Sequence, residues 1–288
     1  MFTATLIARP GALEPALVDN LRRAWGGGAA HWLARGEAAE FSLPTLPDNR
    51  AELAAELRKS GVDLVVQPDR DRRKKMLIAD MDSTMIEQEC IDELAELAGV
   101  GAQVREITAR AMNGELGFEG ALLERVGLLK GRDAGIIDRV LAERITIAPG
   151  ARELLATMKA HGTHTVLVSG GFTAFTSQLA ARLGFNEHRA NRLIIENGRL
   201  TGDVARPILG RDAKVAALAE ITARLGIAEE EVIAVGDGAN DLGMLARAGI
   251  GVALHAKPAV AAQSEVRIDH GDLTALLYLQ GYARDDFA

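Results

Sequence analysis

Asp80 and Asp82 stand two residues apart in MLIADMDST (76–84), directly after four apolar residues. Two unit charges about 4 Å apart repel by on the order of 4 kcal/mol at an effective dielectric near 20. Keeping such a pair requires a proton on one member, a hard cation with oxygen ligands, or a basic side chain alongside. The chemistry open to it is phosphoryl transfer. One carboxylate can take a phosphoryl group as nucleophile, while the other, protonated part of the time, serves as acid and then as base.

The elements that must position such a pair are strands. The runs at 76–79, 165–168, 232–235 and 250–254 are continuously apolar rather than alternating, the pattern of strands covered on both faces in the parallel sheet of an α/β domain. Doubly wound sheets bind ligands beyond the carboxyl ends of their strands. The first run is followed by Asp80-Met81-Asp82, the second by Ser169-Gly170-Gly171, and the third by Gly236-Asp237-Gly238-Ala239-Asn240-Asp241. Were these strands neighbours, Asp80, Asp82, Asp237 and Asp241 would share one edge. Mg²⁺ suits such a set, because it takes few carboxylates and keeps room for a phosphate oxygen. Lys214, at the start of a helix read over GRDAKVAALAEI, would add positive charge, and the Ser169 hydroxyl and Gly170 amide could hold phosphate oxygens. Each piece alone has an ordinary meaning: paired surface acids, a turn, a solvated helix lysine, a calcium-loop fragment without its terminal glutamate. Their order, each at a strand end, carries the functional reading.

Residues 1–70 have the order βαββαβ, which suits a small α+β unit of ferredoxin-like kind. The charged run PDRDRRKK (68–75) reads as a solvated linker. The catalytic unit then spans 76–288, with a helical insert at about 86–148 that exceeds an ordinary crossover and predicts a separate cap. Asn197-Gly198 predicts a type I′ hairpin. Cys90, the single cysteine, excludes an internal disulfide and reads as a small apolar helix residue. A net charge of −7 argues against nucleic acid as main partner. No apolar window approaches the roughly 18 residues of a membrane span, and the N-terminus lacks signal-peptide character. A cytoplasmic protein with no membrane partner is expected.

DMDST, SGG, Lys214 and GDGAND resemble the four motifs of the haloacid-dehalogenase (HAD) superfamily of phosphotransferases, over roughly residues 76–282. DMDSTMIEQECIDELA, AMNGELGFEGALLERVGLLKG, VSGGFTAF and VGDGANDLGML are similar, more closely, to the phosphoserine phosphatase family. The resemblance implies Asp80 as nucleophile, Asp82 as acid/base, and phosphate held by Ser169, Gly170, Lys214 and Asn240. It implies Mg²⁺ on Asp80, the Asp82 backbone carbonyl and Asp237, with Asp241 supporting. It also assigns Glu89, Met112, Phe118 and Arg125 of the cap to the amino-acid half of the substrate. The expected reaction is hydrolysis of O-phospho-L-serine, the last step of serine biosynthesis. Two alternatives stay open: transfer of the phosphoryl group to another alcohol, and a non-catalytic amino-acid sensor. The N-terminal unit resembles an ACT module, with a spacer or a homodimer contact among the roles open to it. A dinucleotide oxidoreductase is disfavoured, because no G-x-G-x-x-G follows a predicted strand.

Overall fold

The computed structural model describes residues 1–112 and 115–288, apart from the Met112 side chain. In chain order the N-terminal segment forms β1 (Phe2–Ala8), α1 (Pro15–Ala24), β2 (His31–Ala34), β3 (Ala38–Leu43), α2 (Arg50–Lys59) and β4 (Val62–Pro68). Next come β5 (Met76–Ala79) and four helices, α3 (Cys90–Leu97), α4 (Gly101–Met112), α5 (Phe118–Gly127) and α6 (Ile136–Glu143). Then follow α7 (Ala151–Ala160), β6 (His164–Phe172), α8 (Thr173–Leu183), β7 (Glu187–Asn191), β8 (Leu193–Glu196), β9 (Arg199–Val204) and α9 (Arg211–Leu225). The chain closes with β10 (Val232–Gly236), α10 (Leu242–Arg247), β11 (Ile250–Leu254), α11 (Pro258–Ala261), β12 (Val266–Ile268) and α12 (Ala275–Leu279). Among the described residues no helix is long and apolar enough to cross a membrane.

Two compact units divide the chain. The first holds Met1–Leu77, Pro149–His164 and Thr222–Ala288; the second holds Ile78–Ala148 and Thr165–Ile221. The division falls inside β5.

In the first unit, β1–β4 form an antiparallel sheet of order β2-β3-β1-β4, the ferredoxin-like arrangement expected from βαββαβ. Val18 and Leu21 of α1 and Leu57 of α2 share a core with Leu6, Phe41 and Leu64 of the strands. One face of the sheet packs on these helices, and the opposite face of β1 and β4 is buried as well, with Thr5, Ile7, Asp63 and Val65 inaccessible. This unit also carries the strand order β12-β11-β10-β5, with β10–β11 and β11–β12 parallel. All five residues of β10 are buried, as its unbroken apolar run requires.

The charged run after β4 is largely exposed, as a solvated linker should be, yet it is tied down at several points. The Arg72 guanidinium pairs with Glu40 at 2.6 Å and donates to the Leu279 carbonyl at 3.0 Å. Arg73 lies over the Tyr282 ring at 4.2 Å, and the Lys74 amide donates to Gln280. Arg72, Arg73 and the Lys74 backbone thus find partners in the C-terminal segment, some 200 residues away along the chain, that leave no local trace.

In the second unit the strand order is β5-β6-β7, with β6–β7 parallel. The sequence ends the second apolar strand at Val168, yet β6 runs on to Phe172, with a break in register against β7 between Val168 and Phe172. Ser169, Gly170 and Gly171 therefore occupy the irregular end of a strand rather than a turn after it. Helices α3–α6 occupy the expected insert, and an antiparallel bridge between Ile86 and Ile147 closes its base. The β8–β9 hairpin turns on Asn197 (φ 51°) and Gly198 (φ 74°), the two left-handed residues that a type I′ turn demands.

Candidate active site

Asp80 follows β5 directly and is 5% exposed. Its Oδ1 accepts the Met81 amide at 2.8 Å and lies 2.6 Å from Nζ of Lys214, which is 2% exposed. Lys214 stands in the first turn of α9, where the helix dipole disfavours a cation. Neither charge could be buried alone, and each offsets the desolvation of the other.

Asp82 is half-buried and its carboxyl is hydrogen-bonded on both oxygens. Its Oδ1 accepts the Cys90 amide at 2.8 Å, the first amide of α3, and its Oδ2 accepts the Ser169 hydroxyl at 3.1 Å. The Gly171 amide donates to Ser169 Oγ at 2.8 Å. A Cβ on Gly171 would stand 3.0 Å from both Asp82 Oδ2 and Ser169 Oγ, so glycine there permits the approach. Burial pushes the Asp82 carboxyl up to about 6, with Glu89 adding to the shift and the Cys90 and Ser169 hydrogen bonds opposing it. A carboxyl in that range can hold and release a proton near neutrality. Burial and the adjoining Asp82 push the Cys90 thiol upward, so this buried cysteine is the inert residue expected.

Glu89 precedes α3, and its Oε1 accepts the Ser83 hydroxyl at 3.0 Å. Ser83 is held at φ 54°, a left-handed conformation unusual for a non-glycine residue. Arg125, near the end of α5, is half-buried and donates from Nε to the Ala121 carbonyl at 3.1 Å. Burial lowers its pKa, opposed by the charges of Asp92, Glu89 and Asp82. Phe118 opens α5 and stays 37% exposed, against the core role its type alone would suggest. A Cβ on Gly170 would reach within 3.2 Å of its ring, and one on Gly210 within 3.4 Å. The Met112 side chain lies outside the described residues.

Sequence reasoning passed over Asn191. This buried residue donates to the carbonyls of Gly170 (2.8 Å) and Leu209 (3.2 Å) and accepts the Leu209 amide (2.7 Å). It ties the end of β6 to the segment that leads into α9 and Lys214. An asparagine after a polar stretch gives no sequence signal for that role.

GDGAND lies in the first unit. Asp237 follows β10 and is 5% exposed; Asp241 is fully buried, and its Oδ2 accepts the Gly238 amide at 2.9 Å. Asn240, half-exposed, lies between them in the same turn. Lys257 approaches Asp237 twice, through Nζ to Oδ2 at 3.6 Å and through its amide to the Asp237 carbonyl at 3.3 Å. Asp237 and Asp241 are both buried carboxylates within this unit. Carboxylates are hard oxygen donors, and they fit a hard divalent cation such as Mg²⁺ better than a soft metal.

A buried aspartate at the end of a parallel strand thus has a lysine on its carboxylate and a second carboxyl two residues on. The chain belongs to the haloacid dehalogenase-like hydrolase family, whose model matches residues 77–246. It is 44% identical over 229 residues to a phosphoserine phosphatase of Archaeoglobus fulgidus, covering 79% of this chain and 66% of that protein. The chain spans 62 to 66% of the length of the first curated relatives that it matches. Its fold is similar to the HAD family hydrolase t0658 from Salmonella enterica serovar Typhi, with a TM-score of 0.88, 31% identity, and coverage of 97% of this chain and 98% of that one. It is also similar to a phospho-aspartyl intermediate analogue of phosphoserine phosphatase, with a TM-score of 0.67, 40% identity, and coverage of 72% and 98%.

Proposed function

We propose that this protein is a Mg²⁺-dependent phosphatase that hydrolyses O-phospho-L-serine to L-serine and phosphate. The observation that carries the mechanism is the buried Lys214–Asp80 pair at 2.6 Å, with the Asp82 carboxyl two residues away hydrogen-bonded to Ser169. Similarity to phosphoserine phosphatases supports the substrate.

In this mechanism an Asp80 oxygen attacks phosphorus while the bond from phosphorus to the serine oxygen breaks, and Asp82 gives its proton to that oxygen. A water then attacks the aspartyl phosphate. Asp82 takes the proton from the water, the bond between phosphorus and Asp80 breaks, and phosphate leaves with the carboxylate restored. Lys214 holds the nucleophile and offsets charge on the transferring group, and Ser169 and the Gly170 amide hold its oxygens, with Asn240 beside them. Mg²⁺ on Asp80, the Asp82 carbonyl and Asp237, with Asp241 supporting, supplies further charge neutralisation when bound. Arg125 takes the substrate carboxylate and Glu89 its ammonium, with Phe118 and Met112 assigned to the same amino-acid half of the substrate.

Phosphate release from a panel of phosphomonoesters, with and without Mg²⁺, tests this function. Highest kcat/KM on phosphoserine and dependence on Mg²⁺ are expected. Preference for a sugar phosphate would overturn the roles of Glu89 and Arg125.

A further inference from the structure

Asp63 in β4 is fully buried, yet its partners are not in its own sheet. Its Oδ1 accepts the amide of Asp269 at 3.0 Å, and its Oδ2 accepts those of His270 at 2.9 Å and Gly271 at 3.0 Å. A carboxylate that gathers three successive amides fixes the segment after β12 as few other groups can. The same module grips this segment twice more. The His270 ring donates from Nε2 to the Arg58 carbonyl at 2.7 Å, and Arg58 pairs with Asp269 at 3.0 Å. A Cβ on Gly271 would lie 3.0 Å from Ile7 of β1, so the backbone there is pressed against the module.

The clamped segment in turn holds the corner after β11. His255 donates from Nε2 to the Gly271 carbonyl and from its amide to the Ile268 carbonyl, both at 2.8 Å. It does so at φ 44°, a conformation that costs a non-glycine residue on the order of 1 kcal/mol and persists only where neighbours enforce it. Two residues on, Lys257 meets both the carbonyl and the carboxylate of Asp237.

From these contacts we propose that the N-terminal module serves the reaction as a positioning element. Asp63 and His255 fix the corner that carries Lys257 and thereby orient Asp237 for its cation, an assignment that rests on Asp237 being a metal ligand as proposed above. Neither residue touches substrate or metal; both act through the 255–257 corner.

The test is Mn²⁺ binding to the full-length protein, followed by electron paramagnetic resonance or calorimetry, together with the Mg²⁺ dependence of turnover. Asp63→Asn and His255→Ala are each expected to weaken Mn²⁺ by about tenfold, at the low end of what outer partners of a metal site cost. At saturating Mg²⁺ the kcat is expected to recover to near the wild-type value, because no reacting group has changed. His255 is exposed, so its substitution leaves the core intact even if Asp63→Asn folds poorly. Wild-type Mn²⁺ affinity in a folded His255→Ala protein would overturn the inference. Asp237→Asn separates the two claims. Loss of Mn²⁺ in that variant alone removes only the role of the module, whereas its retention there removes the assignment of Asp237 on which both depend.

Discussion

Nζ of Lys214 lies 2.6 Å from Oδ1 of Asp80, and both side chains are buried. Removing the cation leaves the carboxylate uncompensated in the ground state and removes charge stabilisation from the transition state. Lys214→Met is expected to lower kcat by about 10²–10³, the scale of one lost electrostatic donor. Its melting temperature should also fall, as expected when one partner of a buried pair is lost. Steady-state phosphate release and a thermal melt check this, and turnover within tenfold of wild type would contradict it.

Gly236 ends β10 directly beneath Asp241. A Cβ there would stand 2.4 Å from the Asp241 Cγ, too close for any real contact. Gly236→Ala must displace that carboxylate and strain its bond from the Gly238 amide. A loss of roughly 1–3 kcal/mol in stability is expected, the usual cost of overpacking, together with a higher Mg²⁺ requirement. Urea melts and a Mg²⁺ titration of activity measure both.

Asp82 makes a pH prediction with a definite sign. Its carboxyl is raised from the ordinary 3.8 to about 6. In metal-free protein a raised value means that the proton stabilises the fold below the unfolded value, and that this contribution is lost as pH rises through about 6. Two units correspond to roughly 3 kcal/mol at most. Asp82→Asn cannot lose that proton. In a metal chelator, its stability relative to wild type should therefore grow between pH 4 and pH 7, as read by urea unfolding, while its turnover is lost. A constant difference across that range would show that the carboxyl titrates normally.

Arg125 is proposed to read the substrate carboxylate, and phosphoethanolamine is phosphoserine without that group. Wild-type enzyme should prefer phosphoserine, and Arg125→Ala should erase most of the preference through KM. Arg125→Lys should restore little, because an ammonium cannot reproduce a planar two-point contact. Equal discrimination by Arg125→Ala would move the carboxylate site elsewhere.

The placement of the motif residues was legible because continuous apolar runs mark the strands and their ends. The βαββαβ order was legible for a similar reason, since alternation and helix periodicity differ. What stayed hidden depended on partners remote in sequence. β7 (Glu187–Asn191) is a half-exposed polar strand with no apolar run to announce it. The extension of β6 through Ser169-Gly170-Gly171 is masked by small residues that leave no hydrophobic pattern. Asp63 resembles any strand-edge acid until residues 269–271 are seen to close on it. The charge that adds to burial in raising Asp82 is Glu89, not the adjacent aspartate that sequence spacing suggested.

The central claim is that Asp80 carries the phosphoryl group of phosphoserine. Acid quenching during turnover of [³²P]phosphoserine, then peptide mapping, tests it most directly. Label on the peptide containing Asp80, absent from the Asp80→Asn protein, is the predicted result. Label that persists in Asp80→Asn, or near-normal turnover by that variant, would contradict the account.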